Sequence, residues 1–234
     1  MKIKNTEINQ LYKPYQSTID FEQFLKKYNV LNTKTLSILD AGCGLGANLS
    51  YFANRYPNKK FIGWDYSSKQ IKLAKYFNPK LRNNFYIKNI LNIKNSHTKF
   101  DLIYSIHTIC VFKKIENVIK SISKLNSKWI AINSLFYDGE MDALIHIRDL
   151  KNKAISDKNP DADFNIHSLP NTKRIFKKYG YKLFVSKQYF PKNKIKKIQG
   201  RGSYTIKTEL SKNTTFSGPV FLPWYFLLAK KLND

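Results

Sequence analysis

The stretch LSILDAGCGLGANL, residues 36–49, holds residue types whose spacing has a chemical meaning. Asp40, Gly42, Gly44 and Gly46 read as D-x-G-x-G-x-G, and from Gly42 the same glycines read as G-x-G-x-x-A. Both patterns describe a glycine turn from a strand into a helix, where the backbone can approach a nucleotide-type ligand. A second carboxylate, Asp65 in GWDYS, ends the next apolar run. An acid at that place can hold ribose hydroxyls in either kind of cofactor. Asp40 discriminates between them. A carboxylate inside the turn is unhelpful to a diphosphate, but it suits a ligand with an amino-acid tail and a sulfonium. The G-x-G-x-x-A reading keeps a nicotinamide oxidoreductase as the alternative.

These residues need strands and helices to position them, and the pattern supplies both. TLSILDAG reads as a buried strand, ANLSYFANRY as the following helix and KKFIGWDYS as a second strand. Ser67 or Ser68 can cap the helix SSKQIKLAKYF. NNFYIKN, KFDLIYSIH and KWIAINSLF continue the strands, with the helix IENVIKSISKL before the last of them. This alternation predicts an α/β fold, a Rossmann-like, seven-stranded, mostly parallel sheet with right-handed crossovers. TIDFEQFLKKY places Ile19, Phe21, Phe24, Leu25 and Tyr28 on one helical face, with Asp20 in its first turn. YDGEMDALIHIRDL reads as helical and DKNPDAD as a loop. LPNTKRIFKKYG reads as a helix with Pro170 near its start and Gly180 past its end. YKLFVSKQYF and WYFLLAKKL then form a terminal antiparallel pair of edge strands. An insertion over 190–222 joins them, with SYTIKTEL as an extra strand. The 234 residues form one expected domain, with 1–34 as an N-terminal helical lid or cap.

Lysine and arginine outnumber acids by 41 to 16, a net charge of +25. Only five of the 41 are Arg, which weakens a reading as a dedicated phosphate reader. Between Asp163 and Glu209, however, twelve Lys or Arg occur with no acid. That run is either a solvated basic face or a surface that attracts phosphorylated ligands. Two cysteines, Cys43 and Cys110, build no disulfide framework or metal cluster. No run is apolar enough for a membrane span, and MKIKNTEINQ lacks the core of a secretory signal, so a cytoplasmic protein is expected.

The set Asp40, Gly42, Gly44, Gly46 and Asp65, with the terminal strand pair, resembles the class I S-adenosylmethionine-dependent methyltransferases. The resemblance covers roughly residues 35–135 and the last strand. It implies S-adenosylmethionine as cofactor, with the glycine turn under its methionine part and Asp65 on the ribose. Tyr66, Asn89, Ile90 and Ser105 complete the cofactor residues it implies. Asn89 stands where the family often has an acid beside the adenine, and an amide can still pair with an adenine edge. The second half also resembles methyltransferases encoded with bacterial capsule and other surface-glycan pathways. That implies O-methylation of a sugar, a nucleotide-linked sugar or a phosphoramidate, and an insertion that closes over the mouth of the site.

His107 follows the fourth strand, where the family's transferable methyl lies, and an imidazole there can take a proton near neutral pH. The alternative for His107 is a structural ring that bonds a loop carbonyl. Tyr15, Tyr137, His167 and Arg201 are the expected acceptor contacts, His167 and Arg201 as loop residues. Tyr12 and Tyr15 belong either to the lid or to packing on the sheet edge, and Trp224 and Tyr225 read as core of the last strand. Asp142, His146 and Asp149 resemble a metal cluster only loosely, and no obligatory metal is expected. No Asn-Pro-Pro-Tyr type motif follows the fourth strand, Cys110 follows Ile rather than Pro, and no RNA-binding module is appended. These absences favour a small acceptor. An RNA-binding or RNA-modifying protein on the same fold is the alternative from another class.

Overall fold

The strand β1 (Ser37–Ala41) buries side chains on both faces, so it needs strands beside it and helices above and below. A computed structural model, which describes residues 11–93, 99–148, 161–197, 203–209 and 212–232, has that architecture. Helix α1 spans Gln16–Lys27 and so starts four residues before Asp20. After β1 come α2 (Ala47–Arg55), β2 (Lys60–Asp65), α3 (Ser68–Phe77), β3 (Phe85–Ile87), β4 (Leu102–Ile106), α4 (Ile115–Ser123) and β5 (Trp129–Tyr137). The second half holds β6 (His146–Arg148), β7 (Asp161–Asp163), β8 (His167–Ser168), α5 (Leu169–Lys178) and β9 (Tyr181–Gln188). It ends with β10 (Ser203–Lys207), β11 (Asn213–Ser217), β12 (Val220–Phe221) and β13 (Trp224–Lys231).

The main sheet runs in the order β3-β2-β1-β4-β5-β13-β9, and β8 pairs with the end of β5. β3, β2, β1, β4 and β5 are mutually parallel, while β13 is antiparallel to both β5 and β9. The expected seven-stranded sheet is therefore present, with β8 as a short addition. One layer packs α1, α2 and α3 through Phe21, Leu25, Leu49, Phe52, Ile71 and Ala74 against Ile38, Phe61, Leu102 and Tyr104. The opposite layer packs α4 and α5 through Val118, Ile119, Ile122, Ile175 and Phe176 against Leu39, Ile103, Ile130 and Ile132. Ser67 and Ser168 cap α3 and α5 by accepting from Gln70 N and Asn171 N.

Five sequence expectations change, among them Asp20, which lies past the first turn of α1, and Asp161–Asp163 of DKNPDAD, which forms β7 and not loop. Residues 138–148 are not helical: β6 pairs antiparallel with β7, and Ala143 bridges Ile166. Cross-strand pairing outweighs the weak helical spacing there. The last strand is interior, not an edge, because its residues Phe226–Ala229 are buried on both faces and need neighbours on both sides. His167 lies in β8 and not on a loop, and it is fully buried. The expected strand in SYTIKTEL is β10, which joins β11 and β12 in a separate sheet.

Candidate active site

The strand order reverses between β1 and β4, which opens a crevice beyond their carboxyl ends. The glycine turn enters that crevice from β1. Gly42, Gly44 and Gly46 all have positive φ. At Gly42 (φ 89°) a Cβ would run into the Thr108 side chain, so the turn tolerates no side chain there. Thr108 Oγ1 in turn donates to the Gly42 carbonyl, tying the turn after β4 to the glycine loop. At Gly44 a Cβ would meet nothing within 4 Å, so open space lies in front of this residue.

Asp65 organises the loop from the end of β2. Its Oδ2 accepts from Gly44 N at 3.0 Å and its Oδ1 from Ser67 N at 2.9 Å. A carboxylate has about four lone-pair sites, so two remain for a ligand's hydroxyls. Asp40 is in a different state. It is 1% exposed, and neither carboxylate oxygen has a hydrogen-bond partner among the described residues. Burial drives its pKa up to about 8; the Tyr104 hydroxyl, beside it across the strand pair, opposes the shift, and Asp65 adds to it. A buried carboxylate without a partner is costly unless it is protonated or meets a cation. The open space at Gly44, the spare acceptor sites of Asp65 and the unpartnered Asp40 fit a ligand with ribose hydroxyls and a cationic end.

The remaining expected cofactor residues divide. Tyr66 is exposed just past β2, and Ile90 is buried beyond β3. Asn89 is exposed, and its Oδ1 accepts from Leu91 N. Ser105 is buried, and its hydroxyl donates to the Ala41 carbonyl, so it joins β4 to β1.

His107 stands at the tip of β4 with φ 59°, a left-handed conformation that is uncommon outside glycine. Its ring lies 4.5 Å from the Trp224 ring and 6.3 Å from that of Tyr15, measured between centroids. Nε2 is 3.3 Å from Asn133 Nδ2 and 3.4 Å from Ser17 Oγ. With the amide as donor, Nε2 accepts and the ring proton sits on Nδ1. Burial lowers the His107 pKa to about 4, so the ring is neutral at physiological pH. Ser17, Asn133 and Trp224 are site neighbours that sequence reading missed. Asn133 left a signal, an amide inside the apolar run KWIAINSLF, whereas nothing marks Ser17.

The acceptor candidates do not converge on one place. Tyr15 faces His107 and is partly exposed, and Tyr137 is exposed at the end of β5. His167 is fully buried near Phe136; burial lowers its pKa, against the opposing influence of the Asp142 carboxylate. Arg201 and Asp149 lie outside the described residues. His146 Nδ1 pairs with Asp163 Oδ1 at 2.9 Å, while Asp142 Oδ1 accepts from Ser168 N. No group of metal-ligating residues is present among the described residues. None of the described helices is long and apolar enough to cross a membrane.

The sheet order, the crossovers and the glycine turn define a Rossmann-like methyltransferase fold. Residues 38–127, from β1 to the turn before β5, match the family model described as a methyltransferase domain. An uncharacterized protein of Rickettsia prowazekii (strain Madrid E), RP028, is 38% identical over 95 residues, 39% of this chain and 37% of that protein. The match thus spans little more than a third of that relative's length. Among solved structures, an S-adenosylmethionine-dependent methyltransferase of Methanosarcina mazei aligns over 88% of this chain and 97% of its own, with TM-score 0.60 and 15% identity. Magnesium protoporphyrin IX methyltransferase of Synechocystis PCC 6803 aligns over 99% and 86%, with TM-score 0.56 and 12% identity. The 1,6-didemethyltoxoflavin-N1-methyltransferase of Burkholderia thailandensis aligns over 97% and 84%, with TM-score 0.60 and 10% identity.

Proposed function

We propose that this protein is an S-adenosylmethionine-dependent methyltransferase that modifies an oxygen of a small polar acceptor. The carrying observation is Asp40, a buried, unpartnered carboxylate beneath a glycine turn, with Asp65 at the next strand end. Several of the structural relatives were solved with S-adenosylmethionine or S-adenosylhomocysteine bound. Bound S-adenosylmethionine supplies an activated methyl group on a sulfonium. The chain's own residues supply the rest. Asp40 meets the cationic end, Asp65 holds the ribose hydroxyls and Asn89 meets the adenine edge. Tyr15, His107 and Trp224 wall the methyl-bearing end and exclude water, so alignment is the main catalytic contribution. The neutral His107 ring orients the acceptor or takes its proton. For the acceptor we favour a sugar-, nucleotide-linked or phosphoramidate-type compound of surface-glycan synthesis. The sequence resemblance of the second half and the basic run before Glu209 support that choice.

Calorimetry with S-adenosylhomocysteine tests the core of this reading. Wild type is expected to bind it saturably, and Asp65→Ala to bind at least ~10-fold more weakly, the loss of about 1.4 kcal/mol. Tight NADH binding without S-adenosylhomocysteine binding would transfer the site to the oxidoreductase reading.

A further inference from the structure

The sheet of β10, β11 and β12 is built against the mouth of the crevice. Leu222, just past β12, packs in a buried cluster with Cys110 and Leu135, which follow His107 and lie near the end of β5. Trp224, two residues further on, reaches the His107 ring. This sheet also carries an open groove of about 590 Å³, lined by Lys192, Lys194, Thr205, Ile206, Lys207 and Asn213. Three of the six lining residues are cationic and none is acidic.

The groove's backbone is stitched in place. Thr205 N donates to the Ile195 carbonyl, and Ile195 N donates to Thr205 Oγ1 at 2.8 Å. Asn213 Nδ2 donates to the carbonyls of Pro191 and Lys192. Lys207 and Asn213 are directly opposed across the β10–β11 pair. Lysines from two chain segments are therefore brought to one depression by main-chain bonds, not by chance crowding on a helix face.

The groove is also linked to the site. Lys192 Nζ lies 3.2 Å from Asp20 Oδ1 on α1, and the Tyr189 hydroxyl donates to Asp20 Oδ2. Ser17, one turn earlier on α1 and about 4.5 Å along its axis, contacts His107. Asp20 offsets part of the Lys192 charge, whereas Lys194 and Lys207 project from exposed positions of the groove. Uncompensated ammonium groups around a polar hollow attract a compact, multiply charged oxyanion.

We propose that this groove seats a phosphate-type anionic group of the methyl acceptor, with the acceptor's reactive end directed along α1 toward His107. This rests on the methyltransferase reading, because it assigns the anion to an acceptor. The substrate class that follows is a phosphorylated or diphosphate-linked small molecule. Lys194 and Lys207 govern its affinity without touching the cofactor.

The test titrates inorganic pyrophosphate into the full chain by calorimetry, for wild type and for the double variant Lys194→Gln/Lys207→Gln. S-adenosylhomocysteine is titrated into both in parallel. Saturable pyrophosphate binding is expected for wild type, at least ~10-fold weaker in the variant, with S-adenosylhomocysteine affinity unchanged. Equal pyrophosphate affinity in the two proteins, or no saturable binding to wild type, overturns the groove. Tighter, steeply salt-dependent binding of a short single-stranded RNA through the same two lysines overturns the small-molecule assignment in favour of a nucleic-acid surface. If wild type binds pyrophosphate through these lysines but does not bind S-adenosylhomocysteine, the methyltransferase reading fails while the anion site stands.

Discussion

At the scale of single residues, Asp40 and His107 show how burial sets chemistry. Asp40 titrates near 8 because desolvation penalises its charged form. An acid whose folded pKa lies above its unfolded value contributes fully below the unfolded value, near 4. That contribution is lost as pH rises toward 8. Asp40→Asn removes the loss. In thermal unfolding without ligand, the variant is expected to gain Tm relative to wild type between pH 5 and 9. The same variant should bind S-adenosylhomocysteine at least ~10-fold more weakly. Parallel Tm curves for the two proteins would show that Asp40 is already compensated. His107, with a pKa lowered to about 4, stays neutral in the folded protein across neutral pH. His107→Ala is expected to keep cofactor affinity and to lose at least ~10²-fold in turnover when the acceptor oxygen must be deprotonated. Wild-type turnover should show no inflection from this ring between pH 5 and 9. Near-normal turnover of the variant in an acceptor panel would leave His107 a purely structural role.

Among the elements, α1 is set by a buried charge as much as by its apolar face. Phe21 and Phe24 pack on Phe226, while the fully buried Glu22 accepts from Tyr51, Tyr56 and Arg55 on or beside α2 and pairs with Lys26. Burial acts to raise the Glu22 pKa, but the hydrogen bonds from Tyr51, Tyr56, Lys26 and Arg55 outweigh it and hold it at about 2. The sign is opposite to that of Asp40: this contribution is present above about 4.5 and is lost as pH falls toward 2. Glu22→Gln breaks the cluster. It is expected to cost on the order of 2–4 kcal/mol, seen in denaturant melts at pH 7, and much less at pH 3. Because α1 delivers Tyr15 and Ser17 to His107, the variant should also loosen the mouth of the site. A loss of the same size at both pH values would show that packing, not the charge, holds α1.

For the whole molecule, the net charge of +25 is a standing cost to compactness. Among the described residues five ion pairs join Lys or Arg to an acid, and four of them involve Glu22, Glu140 or Glu116. Raising the ionic strength from about 0.1 M to about 1 M shortens the screening length from about 10 Å to about 3 Å. The Tm is therefore expected to rise by a few degrees over that range, measured in chloride salts to avoid a specific anion. A fall in Tm would mean that attractive pairs outweigh the general repulsion.

The parallel core was legible in the sequence because each element there follows a local rule. Apolar runs of strand length alternate with amphipathic helices, and glycines mark the turn whose φ values only glycine adopts cheaply. Asp40 and Asp65 were visible for the same reason, since both sit at fixed offsets from strand ends. The second half obeyed no such rule. Residues 138–148 carry helical spacing but are not helical: His146–Arg148 pairs as strand and Ala143 bridges Ile166, because a segment distant in sequence, 161–166, supplies the hydrogen bonds. His167, read as a loop residue, is buried by the strand end it joins. The His107 surroundings came from α1, β5 and β13, which no spacing in the chain brings together. In the parallel core, local propensity determined which elements exist and where the glycine turn lies. Long-range packing alone decided that Asp40 is left without a partner, that His107 is held neutral, and that lysines from separate segments share one groove.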